Sequence, residues 1–242
     1  MKKIIYSIVF ILCIGGIGFS LYKIIEWKKS VDSNNIIKDV LTKHIEINED
    51  DLPHKKYKIN FDELKQRNSD TVAYLKVNNT NIDYFVVKTD DNKYYLDHNF
   101  DKVWNDAGWI FADYHNKFDE TDKNIVIFGH KMKDGSMFGT LKDTLNKSWY
   151  ENKDNWEIVL VTPQDTYYYR IYSLYTIIPE TYYINTEFSD IEFKDFIKTT
   201  KERSIYDFKV DIKEDDHILT LSSCLDSYNQ KRVVMHAVRL AE

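Results

Sequence analysis

From about Thr71 to the C-terminus the chain is a succession of eight short runs rich in valine, isoleucine, tyrosine and phenylalanine, and no other feature limits its fold as much. The runs cover residues 72–77, 82–88, 108–112, 124–129, 157–162, 167–178, 217–223 and 232–240. Their composition suits a pleated, half-buried surface. So many short strands in one domain predict a closed barrel or a sandwich, because closure removes exposed edges. Two helical stretches interrupt them, 137–145 after the fourth strand and 190–202 between the sixth and seventh. With 43% hydrophobic residues in 242, the chain can bury one sizeable core.

The N-terminal part reads differently. Residues 4–25 are apolar except for Lys23, and at ~1.5 Å rise per residue such a helix crosses a ~30 Å hydrocarbon layer. No small-x-small cleavage site follows before Glu26-Trp27-Lys28, so an uncleaved anchor is expected, with the body outside the cell. Residues 30–46 carry Val31, Ile36, Ile37, Val40, Leu41 and Ile45 at near-helical spacing, which predicts an amphipathic helix lying on the domain. After a break at Asp50-Asp51-Leu52-Pro53, residues 60–66 predict another helix. The expected division is therefore an anchor at 1–27, an extracellular helical stalk at 28–59 and a barrel at 60–242. A net charge of −6 argues against a nucleic-acid partner, which selects for a basic face.

The two cysteines, Cys13 and Cys224, lie in segments too different to pair, and a disulfide framework is excluded. An isolated cysteine is ordinarily a small buried hydrophobe. Cys224, however, ends a strand beside the polar loop Leu-Asp-Ser-Tyr-Asn-Gln-Lys, and Arg232 opens the next strand, so the two flank one hairpin connection. A thiol near pKa ~8.5 needs a base or a positive neighbour to become a nucleophile. Among the histidines, His236 stands four residues beyond Arg232 on one strand, ~13 Å along it, and His217 is seven before Cys224. Both read as structural or surface groups, and His44 and His54 as surface groups. His98 and His115 stay open as candidates. His130 is the most pointed, because it ends an apolar strand directly after Gly129, which permits close backbone approach or a positive φ.

Three segments carry a family likeness: Phe128-Gly129-His130-Lys131-Met132, Thr220-Leu221-Ser222-Ser223-Cys224 and Arg232-Val233-Val234. Together they resemble the catalytic segments of sortases, with class B the nearest. The segments Asn81-Ile82-Asp83-Tyr84-Phe85-Val86-Val87, Tyr94-Tyr95-Leu96-Asp97 and Phe111-Ala112-Asp113-Tyr114-His115-Asn116 resemble class B in the same order. The resemblance implies a mainly β fold: a closed eight-stranded sortase-type barrel with N-terminal helices and a helix inserted between strands 6 and 7. It also implies cleavage of an Asn-Pro-x-Thr-x type sorting signal near the C-terminus of secreted proteins. Transfer to a peptidoglycan or lipid II amine would follow, at the membrane and without a cofactor or metal. Two departures stand out: Ser223 where the family usually has threonine, and His115 where arginine is frequent.

On this reading Cys224 is the nucleophile, His130 the proton carrier and Arg232 an electrostatic group, since a guanidinium is always charged and cannot act as a base. Ser223, Asp226, Tyr182, Tyr183, Ile184 and His115 are secondary candidates for the substrate groove, and His115 is also the alternative base. The rival readings are a cysteine endopeptidase that gives the acyl group to water, a membrane-tethered binding module with a structural cysteine, and a haem or metal site. The histidine spacing disfavours the last of these.

Overall fold

The computed structural model describes residues 2–48, 56–223 and 231–241. Strands β1 (Ile45–Asn48) and β2 (Lys56–Ile59) form a small antiparallel ribbon, with Ile45 opposite Ile59. The remaining strands are β3 (Thr71–Val77), β4 (Asp83–Val87), β5 (Phe111–Ala112), β6 (Asn124–Gly129), β7 (Glu157–Val161), β8 (Thr166–Ile177), β9 (Ile218–Ser223) and β10 (Arg232–Arg239). They close a barrel in the order β10-β8-β7-β3-β4-β5-β6-β9. All eight expected strands are present, and the closed barrel is realised. Two neighbours, β4–β5 and β6–β9, are parallel, so the sheet is mixed. Every residue of β6 and of β9 is buried, which is why β6 reads as a nearly unbroken apolar run rather than an alternating one, while the polar residues of β9 are the small Thr220, Ser222 and Ser223. The third run is shorter than expected: Gly108 takes φ +56° and ladder pairing begins only at Phe111.

Among the described residues, four α-helices accompany the barrel. Helix α1 (Lys2–Leu41) is a single continuous rod, where the sequence suggested an anchor and a separate stalk helix. Nothing between residues 26 and 30 breaks it, since that stretch holds no proline or glycine. Its first part is apolar and wholly exposed, long enough to cross a membrane. The later part buries Val31, Asn34, Ile37 and Leu41 against the domain, whereas Ile36 and Val40 face outward. The helical stalk expected for 28–59 is corrected at its end: residues 45–48 and 56–59 are β1 and β2, because Ile45 and Ile47 alternate with polar residues at period two.

Helix α2 (Phe61–Arg67) starts at Asn60, whose side chain accepts the Glu63 N–H, and buries Phe61 and Leu64 in the main core. The segment expected as a helix at 137–145 is a 3₁₀ stretch, Gly139–Leu145; Met137 sits at φ +51° and delays the start. A short α3 (Lys147–Glu151) follows. Helix α4 (Asp190–Arg203) lies between the sixth and seventh barrel strands as expected, opened by a Ser189–Glu192 capping box. Phe193 and Phe196 fall on its inner face and pack with Tyr172, Ile218 and Val238, covering the outside of the barrel at β8, β9 and β10.

Candidate active site

The parallel pair β6–β9 organises the site. Register runs from Asn124 opposite Ile218 to Gly129 opposite Ser223, so both strands end at the same rim of the barrel. His130 follows the first strand and Cys224 follows the second in sequence. Cys224 and Asp226 lie outside the described residues, as does His54. On the other flank of β9, strand β10 pairs Val234 with Ser222, and Arg232 is two residues nearer the same rim. Three segments remote in the chain thus meet at one end of the barrel.

Gly129 is required here by packing. A Cβ built on it would stand 2.5 Å from Ile110 Cδ1 and 2.7 Å from Phe138 Cγ. The close approach that the sequence suggested is realised, and the positive φ is not. Both side chains are fully buried; the Ile110 contact is with a terminal methyl, whereas Phe138 meets the Cβ with the root of its rigid ring. Gly129→Ala is therefore expected to lower stability by about 1–3 kcal/mol, as overpacked cores do, and to reduce turnover by shifting His130. A thermal melt checks the first and peptide cleavage the second; an unchanged melting temperature would mean that the ring yields freely.

His130 is half-buried, and its Nε2 lies 2.6 Å from the Leu96 carbonyl. A carbonyl only accepts, so Nε2 carries a hydrogen and Nδ1 is left to take or give the mobile proton. The Leu96 carbonyl is itself held. Trp109 N–H donates to Tyr95 O, and the hydroxyl of the fully buried Tyr95 joins Asp70 and Asn68. A Cβ on Gly108 would come within 2.6 Å of the Leu96 oxygen, so only glycine fits beside it. The Gly108 carbonyl in turn accepts from the buried Asn34 of α1 at 2.9 Å, which ties the N-terminal helix to the turn that orients His130. Side-chain reasoning missed this orienting carbonyl; its one signal was the family-like segment Tyr94-Tyr95-Leu96-Asp97.

Arg232 is half-buried with no carboxylate partner among the described residues. One guanidinium nitrogen donates to the Tyr183 hydroxyl at 3.3 Å, and its Nε is buried without a partner among the described residues. A desolvated, uncompensated cation is costly unless a negative charge comes to it. Tyr183 is fully buried, on a 3₁₀ turn spanning Tyr182–Ile184. Tyr182 bonds to the Tyr175 hydroxyl, and Ile184 packs on the core. Of this trio Tyr183 alone reaches Arg232. Ser223 is also buried, and its hydroxyl accepts the Val233 N–H at 3.0 Å, bracing β9 against β10 at the rim.

Four other histidines are engaged elsewhere. His115 Nδ1 lies 2.7 Å from Asp113, and the residue is more than half exposed. Its loop runs back along β6, where Asn116 bonds Asn124 and Val126, so His115 sits on the order of 13 Å from the His130 end. His98 contacts Asp97 and the Tyr94 carbonyl. His217 bonds the Asp122 carbonyl, and His236 is completely buried.

A mixed barrel with these three segments at one rim defines a recognisable class. The sortase domain, as a family, matches residues 75–240. This chain belongs to the sortase family, whose members are cysteine transpeptidases that act on sorting-signal peptides and are associated with the cell surface. Within the family its similarity is to sortase B. It is 37% identical to sortase B of Listeria monocytogenes over 67% of this chain and 65% of that protein, a little under two thirds of the relative's length. A Bacillus anthracis protein described as similar to sortase B matches at TM-score 0.75 and 30% identity, covering 89% of this chain and 98% of that one. A sortase B solved in complex with triglycine matches at TM-score 0.69 and 30% identity, over 74% of this chain and 85% of that one.

Proposed function

We propose that this chain cleaves an Asn-Pro-x-Thr-x type sorting signal in secreted proteins and transfers the new C-terminus to a cell-wall amine. Cys224 Sγ attacks the carbonyl after the threonine, the amide C–N bond breaks, and His130 Nδ1 delivers the thiol's proton to the leaving amine. The acceptor amine then attacks the thioester, the C–S bond breaks, and its proton returns through His130 to the sulfur. Arg232 offers its positive charge to the thiolate and to the oxyanion of each tetrahedral intermediate. The observation that carries this reading is the half-buried guanidinium without a carboxylate among the described residues, at the rim where β6 and β9 end side by side. The triglycine complex of the related sortase B supports an oligoglycine-like acceptor, a peptidoglycan or lipid II amine in the cell. Residues 1–27 serve as a single membrane anchor, 28–59 as the connection, and 60–242 as the extracellular catalytic barrel.

The test is the full chain in detergent with a peptide library and triglycine, the products being weighed by mass spectrometry. Ligation of triglycine after the threonine of Asn-Pro-x-Thr peptides is the expected result. Hydrolysis alone would make the protein an endopeptidase, and intact peptides would end the proposal.

A further inference from the structure

His236 takes no part in that chemistry, yet it is the centre of a continuous polar chain in the barrel wall. It is 0% exposed on β10, between the rings of Tyr172, Tyr175 and Phe196. Its Nε2 is 2.9 Å from the Tyr175 hydroxyl, which is 2.8 Å from the Tyr182 hydroxyl. Its Nδ1 is 2.8 Å from Thr220 Oγ1. Thr220 Oγ1 lies 2.7 Å from Asn124 Oδ1, and Asn124 Nδ2 donates to the Asn185 carbonyl at 2.8 Å. Thr220 and Asn124 are likewise fully buried.

The hydrogens can be ordered from one end. Asn185 O only accepts, so the Asn124 amide nitrogen faces it and Oδ1 faces Thr220. Thr220 must then donate to Oδ1, which leaves its lone pair for a hydrogen from His236 Nδ1. Nε2 is therefore the acceptor, taking the Tyr175 hydrogen, and Tyr175 accepts from Tyr182. Every hydrogen is used once and all point the same way. A second ring proton, on Nε2, would turn the Tyr175 hydroxyl round and reverse its bond to Tyr182, breaking the single direction of the chain. Burial agrees, pushing the His236 pKa down to about 3.

Both ends of this chain fall on one short turn, at Tyr182 and at Asn185, and they bracket Tyr183, whose hydroxyl receives the Arg232 guanidinium. We infer that His236, as the neutral Nδ1–H tautomer, is a positioning residue that holds the 182–185 turn and through Tyr183 sets the placement of Arg232. The inference rests on the role proposed above for Arg232. A core histidine without this role would add to stability and leave the guanidinium alone. One that holds the turn acts only through that guanidinium, and a misplacement of about 1 Å at such a group can cost ~10²-fold in rate.

A double-mutant cycle in the full chain separates these cases, with kcat and KM for the sorting peptide measured below the melting temperature of every variant. His236→Gln keeps an acceptor near Tyr175 and loses the donor to Thr220; Tyr182→Phe removes the first donor with little change of volume and serves if the histidine variant does not fold. Each is expected to lower kcat by roughly 10-fold or more with KM changed less. Combined with Arg232→Lys, each should cost no more than about 3-fold beyond Arg232→Lys alone, the mark of residues acting through one group. Multiplying losses, or a wild-type kcat in both single variants, would overturn the inference while leaving the Arg232 role intact. A normal rate for Arg232→Lys would instead sink that role and this inference with it. Nitrogen-15 spectra of the wild type should show His236 protonated at Nδ1 alone from pH 5 to 8; an Nε2–H form would refute the ordering.

Discussion

Replacing Cys224 by alanine is expected to take cleavage and ligation of the sorting peptide below a hundredth of the wild-type rate, with the domain still folded. Among the described residues, no other group at this rim can supply the nucleophile. Ser222 is completely buried, and the Ser223 hydroxyl is occupied by the Val233 N–H. Neither hydroxyl ionises near neutral pH as a thiol does. Cys13 lies on the exposed apolar stretch of α1, far along the chain from the barrel. The described β6–β9 ladder runs up to Ser223, and a cysteine-to-alanine change alters no backbone group, so that pairing is kept. Product formation followed by mass spectrometry, beside a thermal melt, gives both readings. A residual rate above one hundredth would assign the acyl-carrying atom elsewhere, and a binding module would show unchanged ligand affinity.

The second large effect concerns the base. His130→Ala is expected to lower kcat/KM by ~10²–10⁴, the usual contribution of a positioned proton carrier, whereas His115→Ala should stay within about threefold of wild type, as a residue outside the reacting group does. The imidazole of His130 is oriented by the Leu96 carbonyl with Nδ1 left over, at the rim where β9 ends. His115 is held by Asp113 on a loop that runs toward the other end of β6. Both variants should fold, since neither ring is fully buried. A greater loss in the His115 variant would reverse the assignment and move the reacting centre along the barrel.

Much of this protein was readable in advance, for identifiable reasons. Strands announce themselves through β-branched and aromatic runs, which is a local property, and all eight were placed within a few residues. The inserted helix was expected at 190–202 and is found at Asp190–Arg203. Misreadings fell where local signals conflict. Ile45 fits a helical stripe and an alternating strand equally well, and pairing with Ile59 decided for the strand. Residues 108–110 read as strand, but Gly108 adopts a positive φ with its backbone close against Tyr95 and Leu96, and the ladder begins only at Phe111. The bonds of the Ser223 and Tyr182 hydroxyls within the barrel wall are contacts that no local signal announces.

Residue chemistry and chain order alone predicted eight strands closing as a barrel or a sandwich behind an apolar N-terminal helix, with a histidine and an arginine at strand ends. Only the tertiary structure decided that β6 and β9 lie side by side in parallel, that a backbone carbonyl selects the free nitrogen of His130, and that Tyr183 meets Arg232 from a turn held by His236. The reason is physical. Periodicity and composition act over a few neighbouring residues, whereas register between distant strands, the aim of a carbonyl every residue possesses, and the direction of a buried hydrogen-bond chain exist only once the whole barrel has closed.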